Sequence, residues 1–292
     1  MTSTTLDSTR IDVPSSDGTR IAVFVSGTGR PLVLVPGTTS DHTTWRLVTP
    51  LLNRELAVWA VDRRGRGASG DHPDYTLGKE YDDVAAVVER AAAAFGGPVD
   101  LLGHSYGGNV SFGAASRTSN LRRLVLYEGW PAPNAAHRTV DPDRLAEMDR
   151  LLEAGRDEEM LVEFYRHVMK GSEDEIALIR SAPTWPARVA AARTVPRECR
   201  AFGGQGLDPT MAARVRVPVL LLVGSDSPED IKADPDVVAA ALPNARIHEL
   251  PGQQHIAQLT APELLTRTVL DFLRGGPVDA GAPQGAPQGA PQ

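Results

Sequence analysis

The chain has 292 residues, 41% of them hydrophobic and 23% charged, with a formal net charge of −7. That balance fits a globular protein with a sizeable core, and its negative field, with no basic stripe to oppose it, argues against a nucleic-acid partner. A single cysteine, Cys199, excludes an intramolecular disulfide, and no apolar run approaches a signal core or the ~20 residues of a membrane span, so a soluble, cytoplasmic protein is expected.

Residues 1–17 are polar and rich in Ser and Thr, and read as a flexible N-terminus. A turn at Ser16-Asp17-Gly18 leads into Ile21–Val25, suggesting an antiparallel hairpin. Short apolar runs follow at Leu32–Val35, Ala57–Val61, Val99–Leu102, Leu124–Tyr127 and Val219–Val223. They are nearly continuous rather than alternating, as expected of parallel strands covered on both faces. Helical patterns lie between them, clearest at Tyr81–Phe95 and Pro262–Leu273. The alternation predicts an α/β fold with a mostly parallel, doubly wound sheet.

From about Asp141 to Ala213 the pattern is charged and helical, with no convincing strand. This reads as a helical cap over 136–213, inserted into a core made of 18–135 and 214–274. The tail, 275–292, ends in three copies of Gly-Ala-Pro-Gln and has almost nothing to bury, so disorder is expected there.

The strongest chemical signal is Gly103-His104-Ser105-Tyr106-Gly107. It follows an apolar strand and precedes a helix of small residues, so the turn at Ser105 is sharp, and flanking glycines avoid collisions with neighbouring backbone. Ser105 is the expected nucleophile. The expected general base is His255, on a loop after the strand-like Arg246–Leu250 and before the last helix. Asp226, just past Val219–Val223, is the preferred orienting acid, and Glu128, which ends Leu124–Tyr127, is the alternative. The backbone N–H groups of Thr38 and Tyr106 are the expected oxyanion donors. Trp130, Phe164 and Trp185 are candidates for lining the substrate pocket, and equally for packing the cap core, while Trp45 is placed under the oxyanion loop.

Two weaker patterns carry no cofactor or metal. Gly65 to Gly70 fits G-x-G-x-x-G after a strand, but a loop containing Asp71 follows, where a dinucleotide site needs a helix. The Asp41-His42 and Asp71-His72 pairs lie in polar loops and read as solvated.

Taken together, Gly37-Thr38, Asp62 to Ser69, Gly103 to Gly107, Gly224 to Asp226 and Gly252 to His255 resemble the α/β-hydrolase superfamily, in its branch with a helical cap. The resemblance covers about Gly18 to Leu273. It implies a cofactor-free serine hydrolase acting on a small or medium apolar ester, lactone or related acyl compound through an acyl-enzyme on Ser105. The same residues serve carbon–carbon cleavage, perhydrolysis and cyclisation elsewhere in the superfamily, and the fold also occurs as a non-catalytic binding module. Relatives that attack epoxides use aspartate where this chain has Ser105. Two departures stand out: Pro36 occupies a position where relatives commonly have His, and Asp226 follows Gly224 by two residues instead of three. The partner implied is a small molecule, and oligomeric state is not legible.

Overall fold

Residues 8–133, 139–203 and 206–276 are described in the computed structural model. Eight strands form one sheet: β1 (Thr9–Pro14), β2 (Arg20–Ser26), β3 (Arg30–Val35), β4 (Leu56–Val61), β5 (Val99–His104), β6 (Leu121–Tyr127), β7 (Val219–Gly224) and β8 (Ala245–Leu250). Their spatial order is β1-β2-β4-β3-β5-β6-β7-β8. Strand β2 runs antiparallel to β1 and β4, and every other neighbour pair is parallel.

The continuous apolar runs arise because both faces of the sheet are covered. Alternate residues of β3 point to opposite sides. Val33 and Val35 pack with Leu101 against the helices at Leu77–Phe95 and Tyr106–Ala115, whereas Leu32 and Leu34 pack with Leu102 and the helix at Pro262–Arg274. The chain leaves β3 for β4 on one side and returns to β5 on the other. That reversal opens a crevice at the carboxyl ends of β3 and β5, the place where such sheets hold ligands.

The N-terminal expectation is corrected here. Residues 1–7 lie outside the described residues, but Thr9–Pro14 form the edge strand β1, with Ile11 opposite Val23 and Val13 opposite Ile21. Its polar residues face outward, which hides an edge strand from a reading based on apolar runs.

Between β6 and β7 the described residues hold helices at Pro142–Glu153, Asp157–Glu163, Glu173–Ser181, Trp185–Ala190, Val195–Phe202 and Pro209–Ala212. They bury a cluster of their own, including Met148, Leu151, Met160, Phe164 and Trp185, into which Ile256 of the main body inserts. The helix at Asp157–Glu163 continues into a wider π turn, Phe164–Val168. The expected disordered tail falls almost entirely outside the described residues, which stop at Gly276.

Candidate active site

Ser105 sits between β5 and the helix beginning at Tyr106, with φ 55° and ψ −131°. A non-glycine residue holds such angles only when its surroundings leave no alternative. Here the surroundings are backbone. A Cβ on Gly103 would lie 2.4 Å from the Gly107 oxygen, one on Gly107 2.4 Å from the Pro36 oxygen, and one on Gly129 2.0 Å from the Ser105 oxygen. Three chain segments therefore close on the serine, and only glycine fits where they meet.

The loop after β3 passes directly over it. A Cβ on Gly37 would lie 2.9 Å from Ser105 Cβ. The carbonyls of this loop are held from behind: Arg63 Nε donates to the Pro36 oxygen at 2.9 Å and Nη2 to the Gly37 oxygen at 3.1 Å. Among the described residues the N–H groups of Thr38 and Tyr106 have no hydrogen-bond acceptor. They remain free for a negative oxygen.

Arg63 is itself buried, and its charge is matched by Glu80 at 2.8 Å and by Glu198 of the cap at 3.1 Å. Arg66 also meets Glu198. Burial would raise the Glu80 carboxyl, but Arg63 and Arg66 outweigh it and hold the group below its usual range. This network ties the loop after β3 to the helices between β6 and β7. The Arg63–Arg66 cluster is visible in the sequence, but its partners lie far along the chain and carry no local signal.

His255 stands on the loop after β8. Its Nδ1 lies 2.8 Å from Glu128 Oε2. The other Glu128 oxygen accepts from the Gly224 amide at 2.8 Å and from Ser227 Oγ at 2.5 Å. Burial acts to raise this carboxyl, yet the bonds from His255, Ser227 and Gly224 prevail and keep it below the ordinary glutamate value. Glu128 also has a positive φ of 42°, which turns its side chain back toward the end of β7. Asp226, the acid preferred from the spacing, is exposed and accepts from its neighbour Ser225 Oγ at 2.8 Å. Its backbone N–H bonds the Gln253 oxygen at 3.0 Å, so it braces the histidine loop through the main chain. The carboxylate beside the imidazole is therefore that of Glu128, and the preference for Asp226 is corrected.

The histidine loop has further supports. Tyr127 Oη donates to the Gln254 oxygen and accepts from the Ala257 N–H at 2.9 Å. His104 is buried, with Nε2 2.8 Å from the His255 oxygen, where it must carry the proton. Burial, and then the nearby His255, push its pKa well below 6.5, so it stays neutral.

Ser105 and His255 line one cavity with Thr38, Ser40, Phe164 and Arg188. It measures about 80 Å³, and Met169, Ile176, Ile179 and Ile256 make most of its wall apolar. Among the described residues Ser105 Oγ has no hydrogen-bond partner, as is common where such contacts tighten only around a substrate. Phe164 lines the cavity. Trp130 does not, being fully buried in the core under the sheet, and Trp185 packs within the cap beside Tyr165, with ring centroids 6.4 Å apart. Tryptophan's large apolar surface draws both rings into cores before a cavity can use them. Trp45 is buried with its ring 6.2 Å from that of His104.

The two competing motifs serve the framework. Gly65 and Gly67 take positive φ in a tight turn, and the next helix opens only at Leu77. Asp41, His42 and Asp62 place one ligand-type atom each within 4.8 Å of one another. Their atoms are engaged: Asp62 accepts from the His42 and Ala68 amides, each at 2.8 Å, and Asp41 caps Thr43 at 2.9 Å. Among the described residues no helix is long and apolar enough to cross a membrane.

Known proteins are similar to this chain in sequence and fold. An alpha/beta hydrolase from Sphaerobacter thermophilus has a solved structure with a TM-score of 0.77 at 33% identity, covering 90% of this chain and 100% of that one. The N-formylmaleamate deformylase of Pseudomonas putida is 38% identical over 121 residues, 41% of this chain and 44% of that protein. A soluble epoxide hydrolase of a Corynebacterium species is 33% identical over 117 residues, 39% of this chain and 40% of that protein. The chain thus matches less than half the length of either curated relative. Residues 32–268 match the sequence profile of the alpha/beta hydrolase family. With one sheet of this order, a serine at the turn after β5 and a match across most of its length, the chain belongs to the alpha/beta hydrolase family.

Proposed function

We propose that the protein is a serine hydrolase that cleaves a small ester, lactone or related acyl compound, with Ser105 as nucleophile, His255 as base and Glu128 as the acid that orients it. The observation that carries this reading is the 2.8 Å contact of Glu128 with Nδ1 of His255, a residue that lines one cavity with the strained Ser105. With Nδ1 donating to Glu128, Nε2 is the nitrogen left to accept the Ser105 proton.

Ser105 Oγ attacks the carbonyl carbon while its proton passes to His255 Nε2, and the oxyanion rests on the amides of Thr38 and Tyr106. Collapse of this adduct expels the leaving group, which takes the proton from His255 and leaves an acyl ester on Ser105. Water then gives a proton to His255, attacks the ester, and releases the acid as the proton returns to Ser105. Glu128 stays ionised throughout and stabilises the imidazolium. Each oxyanion donor is worth about 3–4 kcal/mol of transition-state stabilisation in comparable sites.

The test is intact-mass spectrometry after treatment with a fluorophosphonate, paired with turnover of short-chain p-nitrophenyl esters. Wild type should gain one adduct and Ser105→Ala none. No adduct on wild type, or one on both proteins, would remove Ser105 as the nucleophile. An adduct without ester turnover would move the reaction to another acyl chemistry of the same site.

A further inference from the structure

The cavity holds a positive charge that no carboxylate among the described residues neutralises. Arg188, on the cap helix Trp185–Ala190, is 6% exposed and lines the cavity with Ser105 and His255. Its Nη1 donates to Ser40 Oγ at 2.7 Å, Thr39 Oγ1 at 3.0 Å and Tyr165 Oη at 3.1 Å. Its Nη2 reaches Thr44 Oγ1 at 3.4 Å, and its Nε has no partner. All four acceptors are neutral hydroxyls.

The other buried arginines are treated differently. Arg63 meets Glu80 and Glu198, Arg64 meets Asp17 and Asp83, and Arg66 meets Glu198. Among the described residues no carboxylate comes within ion-pair distance of Arg188. The cavity's other charges do not compensate it. Lys170 is paired outward with Asp230 at 3.0 Å, and Glu175 is held by the Ser172 amide at 3.0 Å as a helix cap. Arg46, outside the cavity wall, adds a second positive charge nearby: among the described residues it has no carboxylate partner, its Nη1 is unpartnered, and burial followed by the charge of Arg188 pushes its pKa down.

A guanidinium taken out of water costs several kcal/mol unless an anion faces it. Hydroxyls engage its two terminal nitrogens but leave its charge, and they hold the fork in one orientation. The remaining wall is apolar, and about 80 Å³ leaves room for on the order of six waters. These are the features of a receptor for a short apolar chain that ends in an anion.

We infer that the acyl substrate carries a carboxylate, which Arg188 receives while the scissile carbonyl lies at Ser105. The preferred compounds are half-esters, half-amides or lactones of small dicarboxylic acids, in place of the wholly apolar esters expected from the sequence. The turnover part of this inference rests on the serine-hydrolase reading, whereas anion binding at Arg188 does not.

Calorimetry tests the binding directly. Glutarate should bind wild type, neutral glutaramide should bind at least tenfold more weakly, and Arg188→Met should abolish the difference. Kinetics compare p-nitrophenyl hydrogen glutarate with p-nitrophenyl valerate, which matches it in chain length but lacks the charge. Wild type should favour the charged ester by tenfold or more in kcat/KM, and that ratio should fall about ten- to a hundredfold in Arg188→Met, with partial recovery in Arg188→Lys. If Arg188→Met does not fold, wild type decides alone: glutarate must slow fluorophosphonate labelling and glutaramide must not. Equal binding of glutarate and glutaramide, or equal loss of both esters in Arg188→Met, overturns the inference. Glutarate binding without labelling of Ser105 would leave anion binding at Arg188 standing and bring down the serine mechanism, with the turnover part that rests on it.

Discussion

Glu128 Oε2 lies 2.8 Å from His255 Nδ1, although the residues are 127 positions apart in sequence. The contact follows from sheet order. β6 and β7 are parallel neighbours with Tyr127 opposite Leu222, so the residue after either strand emerges beside the loop that carries His255. The positive φ of Glu128 and its bonds to Gly224 and Ser227 turn it inward, while Asp226 faces solvent.

Glu128→Gln should therefore lower kcat/KM by about 10³- to 10⁴-fold, as expected when the partner that fixes the base's tautomer is neutralised. Asp226→Asn should stay within about threefold of wild type, because its bracing contact is made by the main chain. Turnover of p-nitrophenyl acetate by the two variants checks this. A larger loss in Asp226→Asn would return the role to Asp226.

The same carboxylate should give a pH-dependent contribution to stability. Its folded-state pKa is depressed by His255, Ser227 and Gly224 against the opposing effect of burial. A depressed carboxyl stabilises the fold fully above its unfolded pKa of about 4.3, and that contribution is lost as pH falls through the folded value. The gap in urea midpoint between wild type and Glu128→Gln should thus narrow as pH falls below about 4.3. A gap that widens toward low pH would contradict the depressed pKa.

Ser105 and His255 stand out in the sequence because each belongs to a local pattern: a serine between glycines after an apolar strand, and a histidine on the last post-strand loop. The acid was ambiguous because Glu128 and Asp226 follow adjacent strands, and what separates them is a backbone angle at Glu128 that leaves no trace in residue order. Arg188 was missed for a related reason. A charged residue on a cap helix looks like part of a solvated face, and its burial depends on Thr39, Ser40 and Thr44 from a loop almost 150 positions away. The strand β1 escaped because only alternate residues of an edge strand need be apolar.

Gly129→Ala should disturb the serine turn from outside the motif. The added Cβ would lie 2.0 Å from the Ser105 oxygen and 2.7 Å from its nitrogen, and both obstacles are backbone that cannot rotate aside. A loss of about 2–3 kcal/mol in stability is expected from the forced shift, together with at least a hundredfold slower fluorophosphonate labelling. Gly97→Ala is the control, since its Cβ would meet nothing closer than 3.9 Å. That variant should remain within about 0.5 kcal/mol of wild type by urea unfolding. Comparable labelling rates in the two variants would mean that the turn tolerates displacement.

Arg63→Met should separate support of the oxyanion loop from the chemistry it serves. Arg63 holds the Pro36 and Gly37 carbonyls and neutralises Glu80 and Glu198, all in buried surroundings. Removing it takes away the ion-pair partner of Glu80 and leaves Glu198 with Arg66 alone, which costs about 3–5 kcal/mol in comparable buried networks. Replacing Glu80 by Gln in the same protein removes one stranded charge, so the double variant should recover part of the lost stability. Activity should not recover with it, because the Pro36 carbonyl still lacks its Arg63 donor, the Gly37 carbonyl keeps only the longer bonds from Arg66 and the Ser40 amide, and the Thr38 amide is less firmly held. Urea midpoints and kcat/KM measured on Arg63→Met and on Arg63→Met/Glu80→Gln distinguish the two effects. Parallel recovery of stability and turnover would show that Arg63 serves the fold alone.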